Sequence, residues 1–141
     1  MKYLNLLLLC VLMLSSCHAV KQKSEVSKEP IGRVLVINDS LLLNGGSDTL
    51  RLGKLHSGEE IDFSYNLKNE SSSNLVVLYH EITCGCIKLE YNNQPIKTNE
   101  HLPVRVKFDS RGLYGWQLKF FRLHLYGAER PLLIYVESEV E

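Results

Sequence analysis

The fold is decided by one stretch of strict alternation, which reads Ile61-Asp62-Phe63-Ser64-Tyr65-Asn66-Leu67-Lys68. Its odd-numbered positions are apolar or aromatic, and its even-numbered positions are polar. Because successive side chains of a β-strand point to opposite faces, this pattern predicts a half-buried antiparallel strand. The sequence His56-Ser57-Gly58-Glu59 precedes the strand and has the composition of a turn.

Shorter runs of strand character flank this stretch on both sides. They are Arg33–Ile37, Leu41–Leu43, Thr49–Leu52, Leu75–Tyr79, Ile87–Tyr91, Val104–Phe108, Trp116–Leu125 and Leu132–Val136. Turn clusters separate most of them at spacings of about ten residues, and no stretch after residue 30 has a convincing helical period. The pattern therefore predicts an all-β, antiparallel sandwich of short strands.

Two of these runs predict more than strand character. Leu75–Tyr79 is apolar on both faces, which suits a central strand. Between Trp116 and Leu125 the alternation changes phase at the adjacent pair Phe120 and Phe121, which predicts a β-bulge or a strand that passes between sheets. Aromatic residues at strand spacing, such as Trp116, are expected in the core, with an exposed ligand-binding face as the alternative.

Composition limits the number of domains and the class of partner. The chain has 141 residues, of which 45% are hydrophobic and 23% charged, and this suits one globular domain. Lysine plus arginine equals aspartate plus glutamate at 16 each, so there is no basic excess for binding a phosphate backbone. We therefore expect no nucleic-acid partner.

The first residues have the pattern of a secretory leader. Lys2 precedes an apolar run from Leu4 to Leu14 that is too short to favour a retained transmembrane anchor. The following Leu14-Ser15-Ser16-Cys17 resembles the lipobox of bacterial lipoproteins, which implies cleavage before Cys17 and a covalent lipid, including palmitate, on that residue. The sequence thus predicts a signal peptide over residues 1–16, a flexible tether over 17–30 and a folded domain over 31–141.

The residues after Cys17 bear on the location of the protein. His18 stands where an aspartate would, by resemblance, favour retention in the inner membrane, and no acidic run that would favour surface export follows it. We therefore expect an outer-membrane lipoprotein that faces the periplasm. Its partners would be the membrane, through the lipid anchor, and an envelope protein.

The cysteine count leaves one pair for the domain. Cys10 is lost with the leader and Cys17 carries lipid, so Cys84 and Cys86 remain, with Gly85 between them. Three interpretations stay open: two small residues under a loop, a strained and reducible disulfide, or a soft-metal site for Cu(I) or Zn(II) completed by His80. Apart from the lipid we expect no cofactor.

Four segments, taken in order, resemble the DUF1573 family of bacterial envelope proteins. They are Gly53–Glu59, Phe63–Asn69, Thr83-Cys84-Gly85-Cys86 and Val104–Gly115. The resemblance covers residues 48–140 and implies an immunoglobulin-like sandwich of a kind common among lipoproteins of Bacteroidota, with no established activity. Leu50 and Leu52 replace the family's usual aromatic pair.

No sequence motif for catalysis stands beside these features. The chain has no Gly-x-Ser-x-Gly elbow, phosphate-binding loop or paired carboxylates, and His124 is expected to be a solvated strand residue. We therefore expect a lipid-anchored binding or scaffolding module of the cell envelope that is not an enzyme. The alternative is an envelope protein that handles thiols or soft metals through Cys84 and Cys86.

Overall fold

The structure is a computed structural model that describes residues 32–141. The predicted leader, the tether and the predicted lipidation site at Cys17 lie outside these residues. The described elements, in chain order, are β1 (Arg33–Ile37), α1 (Asp39–Asn44), β2 (Gly46–Leu55), β3 (Glu60–Asn69), β4 (Val77–Ile82), β5 (Ile87–Glu90), β6 (His101–Asp109), β7 (Gly115–Leu125) and β8 (Leu132–Val140).

The strands form two four-stranded sheets, which confirms the predicted β-sandwich. The first sheet has the order β1-β3-β6-β5, and the second has the order β2-β8-β7-β4. These orders match the A-B-E-D and C-F-G sheets of the immunoglobulin fold, with β2 added beside the last strand. The edge pairs β1–β3 and β2–β8 are parallel, whereas the remaining pairs are antiparallel. The sandwich is therefore mixed and not purely antiparallel as predicted.

The core lies between the two sheets and is built from alternate residues of the central strands. In β6 the buried positions are Leu102, Val104, Val106 and Phe108. The predicted alternation in β3 holds in its first half, but Asn66 and Asn69 are also buried near its end. Asn69 is accommodated because its side-chain amide donates to the carbonyl of Ile96 at 2.8 Å, which satisfies a polar group that burial would otherwise destabilise.

The predicted strand at Leu41–Leu43 is wrong, because these residues belong to the short helix α1. Asn38 caps the helix by accepting a hydrogen bond from the amide of Leu41 at 2.9 Å. Gly45, with φ of 78°, ends it in a conformation that other residues rarely adopt. Leu42 faces the core and is the buried residue of the helix. A helix of six residues, less than two turns, is too short to show a helical period in the sequence.

Three expectations about the second sheet are also wrong. Leu75–Tyr79 does not form a central strand, because β4 is an edge strand in which Leu78 and Tyr79 are each 52% exposed. No bulge separates Phe120 from Phe121, since β7 pairs with β8 without a register shift. The outer positions of β7 therefore stay on one face, and Trp116 is 64% exposed instead of lying in the core. No described element covers that face. Alternation shows which residues share a face but not whether the face is covered, so it cannot predict that these apolar residues are exposed.

Candidate functional site

The turn formed by residues 83–86 connects the two sheets at one edge of the sandwich. The chain leaves β4 in the second sheet and enters β5 in the first, so both neighbours of the turn are edge strands. Within the turn, Cys84 and Cys86 form a disulfide with their Cα atoms 5.1 Å apart, inside the usual range of roughly 4.4–6.8 Å. The two cysteines are thus bonded to each other and are not two unlinked small residues.

The backbone of this turn is held by contacts that do not involve the sulfur atoms. The hydroxyl of Thr83 donates to the carbonyl of Phe120 at 2.7 Å and accepts from the Phe120 amide at 3.2 Å. On the other side, the amide of Asp109 donates to the carbonyl of Cys86 at 2.9 Å. Each end of the turn is therefore attached to the central part of a different sheet.

His80 takes part in a hydrogen bond and not in a ligand set with the cysteines. Its Nδ1 lies 2.8 Å from the hydroxyl of Tyr91, which follows β5, so the pair links the two sheets below the turn. Over residues 32–141 there is no group of three histidine, cysteine or acidic side chains placed to hold a metal ion. Because thiolates and not disulfide sulfurs bind Cu(I) or Zn(II), the structure as it stands brings no predicted metal site together.

A small pocket of about 60 Å³ opens beside the turn on the first sheet. Cys86 and Gly85 line it, together with the basic residues Lys88, Lys107 and Arg111. Two of these cations are paired: Lys107 with Glu90 at 2.8 Å, and Arg111 with Glu60 at 2.9 Å and with Asp109. The hydrogen bonds from Arg111 lower the pKa of Asp109 below its usual value. The disulfide thus lies next to a cluster of surface charges that the sequence motif does not reveal.

The outer face of the second sheet carries a group of exposed and half-buried aromatic and apolar side chains. We call it the aromatic face, and it comprises Tyr79, Trp116, Leu118, Phe120, Arg122, His124 and Tyr135. Tyr79 stacks on His124 with ring centroids 4.1 Å apart. The guanidinium of Arg122 lies 4.8 Å from the centre of the Phe120 ring.

Polar contacts orient the side chains at one end of this face. Glu81 accepts a hydrogen bond from Arg122 at 3.0 Å and lies 3.2 Å from Nε2 of His124. The bond from Arg122 lowers the pKa of Glu81, so the carboxylate stays charged. His124 points outward as the sequence predicts, but it stacks on Tyr79. The sequence gives the direction of His124 but not its partner, because Tyr79 lies on another strand.

The opposite edge of the sandwich holds a polar cluster in which Tyr65 is buried, Asp48 is largely buried and Arg33 is half exposed. Arg33 Nε donates to Asp48 at 2.6 Å, and the hydroxyl of Tyr65 donates to the same carboxylate at 3.1 Å. Burial opposes ionisation of Asp48, but the bonds from Arg33, the Thr49 amide and Tyr65 together lower its pKa. Burial, and then the neighbouring carboxylate, raise the pKa of Tyr65. This cluster joins β1, β2 and β3, so we interpret it as a contact that stabilises the fold.

The described residues include no helix that is long and apolar enough to cross a membrane. A search of curated proteins found no match. Among solved structures, the fold is similar to a protein of unknown function from Porphyromonas gingivalis W83, with 15% identity and a TM-score of 0.59. It is also similar to the VesB protease of Vibrio cholerae, with 14% identity and a TM-score of 0.55, and to a family 123 glycoside hydrolase from Clostridium perfringens, with 12% and 0.52.

Each of these matches covers 66% of this chain but only 44%, 30% and 23% of the respective solved chain. At such low identity the likeness shows a shared fold and nothing about activity. The family comparison is more specific: residues 43–140 match the model of DUF1573, described as a protein of unknown function. This confirms the resemblance seen in the sequence motifs and extends it to include the end of α1. The chain belongs to the DUF1573 family.

Proposed function

We propose that this protein is a lipid-anchored binding module of the cell envelope without catalytic activity of its own. The observation that carries the proposal is the aromatic face. Trp116 and Leu118 are exposed at one end of it, Tyr79 is exposed at the other end, and Arg122 lies over Phe120 between them. Tryptophan, tyrosine and arginine are the residues that most often dominate binding energy at protein interfaces, and grouped exposed apolar side chains mark interaction sites.

The occupant that best fits this face is a folded partner protein with an apolar surface. From Trp116 to His124 the face extends about 27 Å along β7, at about 3.4 Å per residue, which suits the roughly 800 Å² that each partner contributes to a standard interface. Its charges are already paired, Arg122 with Glu81 and Arg51 with Glu137. A partner with an apolar centre and a neutral rim therefore leaves no buried charge unpaired.

Anchoring supports an envelope location for that partner. A lipid on Cys17 followed by a tether over residues 17–30 would hold the domain roughly 20 Å from a membrane surface. Several acyl chains, at about 0.8 kcal/mol per buried methylene, make such attachment effectively permanent. We expect Cys17→Ser to lose palmitate labelling and to leave the membrane fraction. Labelling that persists in this variant would contradict the anchor.

Site-directed crosslinking in cells tests the binding face. A photo-crosslinking amino acid in place of Leu118 should give a discrete adduct that disappears when Trp116→Ser is added. The same amino acid in place of Arg105, which lies on the outer face of the first sheet in an ion pair with Asp62, is the matched control and should give no such adduct. Equal adducts from both faces, or an adduct that does not depend on Trp116, would contradict the proposal. An adduct of twice the chain mass would show that a second copy of this chain, and not another protein, occupies the face.

A second candidate function is thiol–disulfide handling, and the Cys84–Cys86 disulfide is the observation that favours it. Both cysteines are half-buried, and the bond closes a ring through one intervening residue. Disulfides that stabilise secreted domains usually close much longer loops, since the entropy removed from the unfolded chain grows with loop length. A bond across one intervening residue in a half-buried turn is better suited to reversible chemistry. Reduction of the full chain by low-millimolar dithiothreitol, followed by thiol counting, tests this candidate.

A further inference from the structure

We propose that the Cys84–Cys86 disulfide exchanges with an anionic thiol and that the incoming sulfur attacks Cys86. This inference rests on the second candidate function, since it presupposes that the disulfide is reducible. It adds which of the two sulfurs is attacked, which face the reductant uses and what charge the reductant carries. The features that support it are the turn at residues 83–86 and the pocket beside it.

The fold does not need the disulfide to hold the turn in place. Thr83 is tied to Phe120 on the second sheet, and Cys86 accepts a backbone hydrogen bond from Asp109 on the first. Both flanking strands, β4 and β5, stay paired through their own ladders. Opening the bond therefore frees two thiols in a turn whose ends remain fixed, and the thiols stay close enough to be oxidised again.

Access distinguishes the two sulfur-bearing residues. Cys86 lines the small pocket on the first sheet, whereas Cys84 does not. Gly85, also in the pocket wall, has no neighbouring atom within 4 Å of the position a Cβ would take, so nothing covers the turn there. A thiolate that enters the pocket meets Cys86 first. Cys84 lies on the other side of the bond and is the natural leaving group.

The charges around the pocket favour an anion. Lys88 and Lys107 are directly opposite each other in the β5–β6 pair, an arrangement that is unfavourable between like charges. Glu90 pairs with Lys107, and Arg111 pairs with Glu60 and Asp109, the two carboxylates that also line the pocket. Lys88 makes no direct ion pair in the described part of the chain and is attracted to Asp109 only at longer range, so the three cations of the pocket wall outnumber its two carboxylates. An incoming thiolate carried by an acidic molecule would add a second negative charge near Lys88 and would be attracted to the pocket.

The exchange proceeds in two balanced steps. The incoming thiolate forms a bond to Cys86 Sγ while the Cys84–Cys86 bond breaks, and the electron pair leaves on Cys84 as a thiolate that takes a proton from water. A second thiol of the reductant, as its thiolate, then attacks the reductant's sulfur in the mixed disulfide and not Cys86 Sγ. This step releases Cys86 as a thiolate, which also takes a proton. The reductant ends as a disulfide, and the protein gains two electrons and two protons.

Trapping of the mixed disulfide tests the assignment directly. The oxidised full chain is treated briefly with glutathione, quenched with N-ethylmaleimide and digested with trypsin. The peptide of residues 69–88 carries Cys84 and Cys86 but neither Cys10 nor Cys17, because cleavage follows Lys68 and Lys88. We expect the peptide with glutathione on Cys86 and maleimide on Cys84 to exceed the peptide with the reverse labelling by about tenfold. The reverse pattern, or an even split, would overturn the assignment.

Two thiols of different charge, glutathione and cysteamine, test the role of Lys88. Lys88→Gln should slow the reaction with glutathione, which carries extra carboxylates, by about two- to fivefold at low salt. It should leave unchanged the reaction with cysteamine, whose ammonium cancels its thiolate. An equal slowing with both probes would reject the anionic reductant, and circular dichroism checks that the variant is folded. If the wild type resists glutathione and dithiothreitol alike, the second candidate function fails and the assignment fails with it, whereas labelling of Cys84 rejects only the assignment.

Discussion

The two edges of the sandwich are closed by different chemistry. At the β1–β2 edge, Asp48 binds Arg33, and Tyr65 donates to the same carboxylate with its side chain fully buried. At the β4–β5 edge, a disulfide joins Cys84 to Cys86 within one half-buried turn. The first edge connects three strands through the largely buried carboxylate of Asp48, whereas the second connects two residues that are already close in the chain.

This difference indicates which edge stabilises the fold and which can change while the fold persists. A charged hydrogen bond contributes roughly 1.5–3 kcal/mol, and more is lost when a buried partner is left unsatisfied. A disulfide that closes a ring of three residues removes little chain entropy, roughly 1.6 kcal/mol by the loop-length relation. We therefore expect the β1–β2 edge to contribute more to stability, and we propose that the β4–β5 edge is the one suited to reversible chemistry.

Removal of the charge at Asp48 should have the largest effect on stability. We expect Asp48→Asn to lower the free energy of unfolding by about 2–3 kcal/mol, because Arg33 and Tyr65 lose a charged acceptor. Urea denaturation of the full chain measures this loss. Asp62→Asn is the matched control, because Asp62 forms an exposed ion pair with Arg105 and should matter much less. Equal losses in both variants would remove the distinction between a shielded and an exposed pair.

The same carboxylate should make stability depend on pH. The pKa of Asp48 is lower in the folded chain than its usual value, so the ionised form stabilises the fold. This contribution is fully present above the unfolded pKa of about 3.9 and is lost as pH falls through the lower, folded pKa. Unfolding free energies measured between about pH 6 and pH 3 should fall more steeply for the wild type than for Asp48→Asn. Parallel curves would contradict this role.

Loss of the disulfide should have a smaller effect than loss of Asp48. We expect the double variant Cys84→Ser with Cys86→Ser to remain folded and to lose about 1.6 kcal/mol. The backbone bonds from Thr83 and Asp109 keep the turn attached in this variant. Urea denaturation gives the value, and a loss of about 4 kcal/mol or more would show that the bond is a structural cross-link.

The hydrogen bond below the turn should contribute less still. Tyr91→Phe removes the hydroxyl that lies 2.8 Å from His80, and we expect a loss of about 1 kcal/mol. Combined with the double serine variant, it measures whether the two contacts at this edge act together. A coupling energy above about 0.5 kcal/mol would show that they do, whereas additive losses would show two independent contacts.

The smallest effect on stability is expected on the aromatic face. Trp116→Ser should change the free energy of unfolding by no more than about 0.5 kcal/mol, because Trp116 is exposed and contributes little to the core. The same variant should remove the crosslink from position 118. A large loss of stability would mean that Trp116 supports the fold and would weaken the case for a binding face.

The sequence predicts the fold better than it predicts these sites, for physical reasons that particular residues illustrate. Alternation in β3 and β6 identifies the core, because Val104, Val106 and Phe108 all point inward. Alternation does not show whether the other face of a strand is covered. The pattern therefore predicts Trp116 in the core, whereas the structure exposes it. A single helical turn at α1 depends on the cap at Asn38 and not on periodicity.

The candidate sites depend on contacts between strands that local patterns do not contain. The Cys-Gly-Cys motif identifies the turn, and a disulfide is one of the three interpretations that it allows. The pairing of His80 with Tyr91 and the placing of Lys88 opposite Lys107 follow from strand register and sheet order. Register is a property of the assembled sheets, so these neighbours appear only in the structure.

The most direct test of the account is a redox titration of the full chain that follows the disulfide and the fold together. Alkylation and mass spectrometry of the peptide of residues 69–88 report the fraction of disulfide, while near-ultraviolet circular dichroism reports tertiary structure. The account predicts a midpoint potential well above about −300 mV, with the tertiary signal retained after reduction. A disulfide that stays oxidised below about −300 mV, or a domain that unfolds as the bond opens, would contradict it.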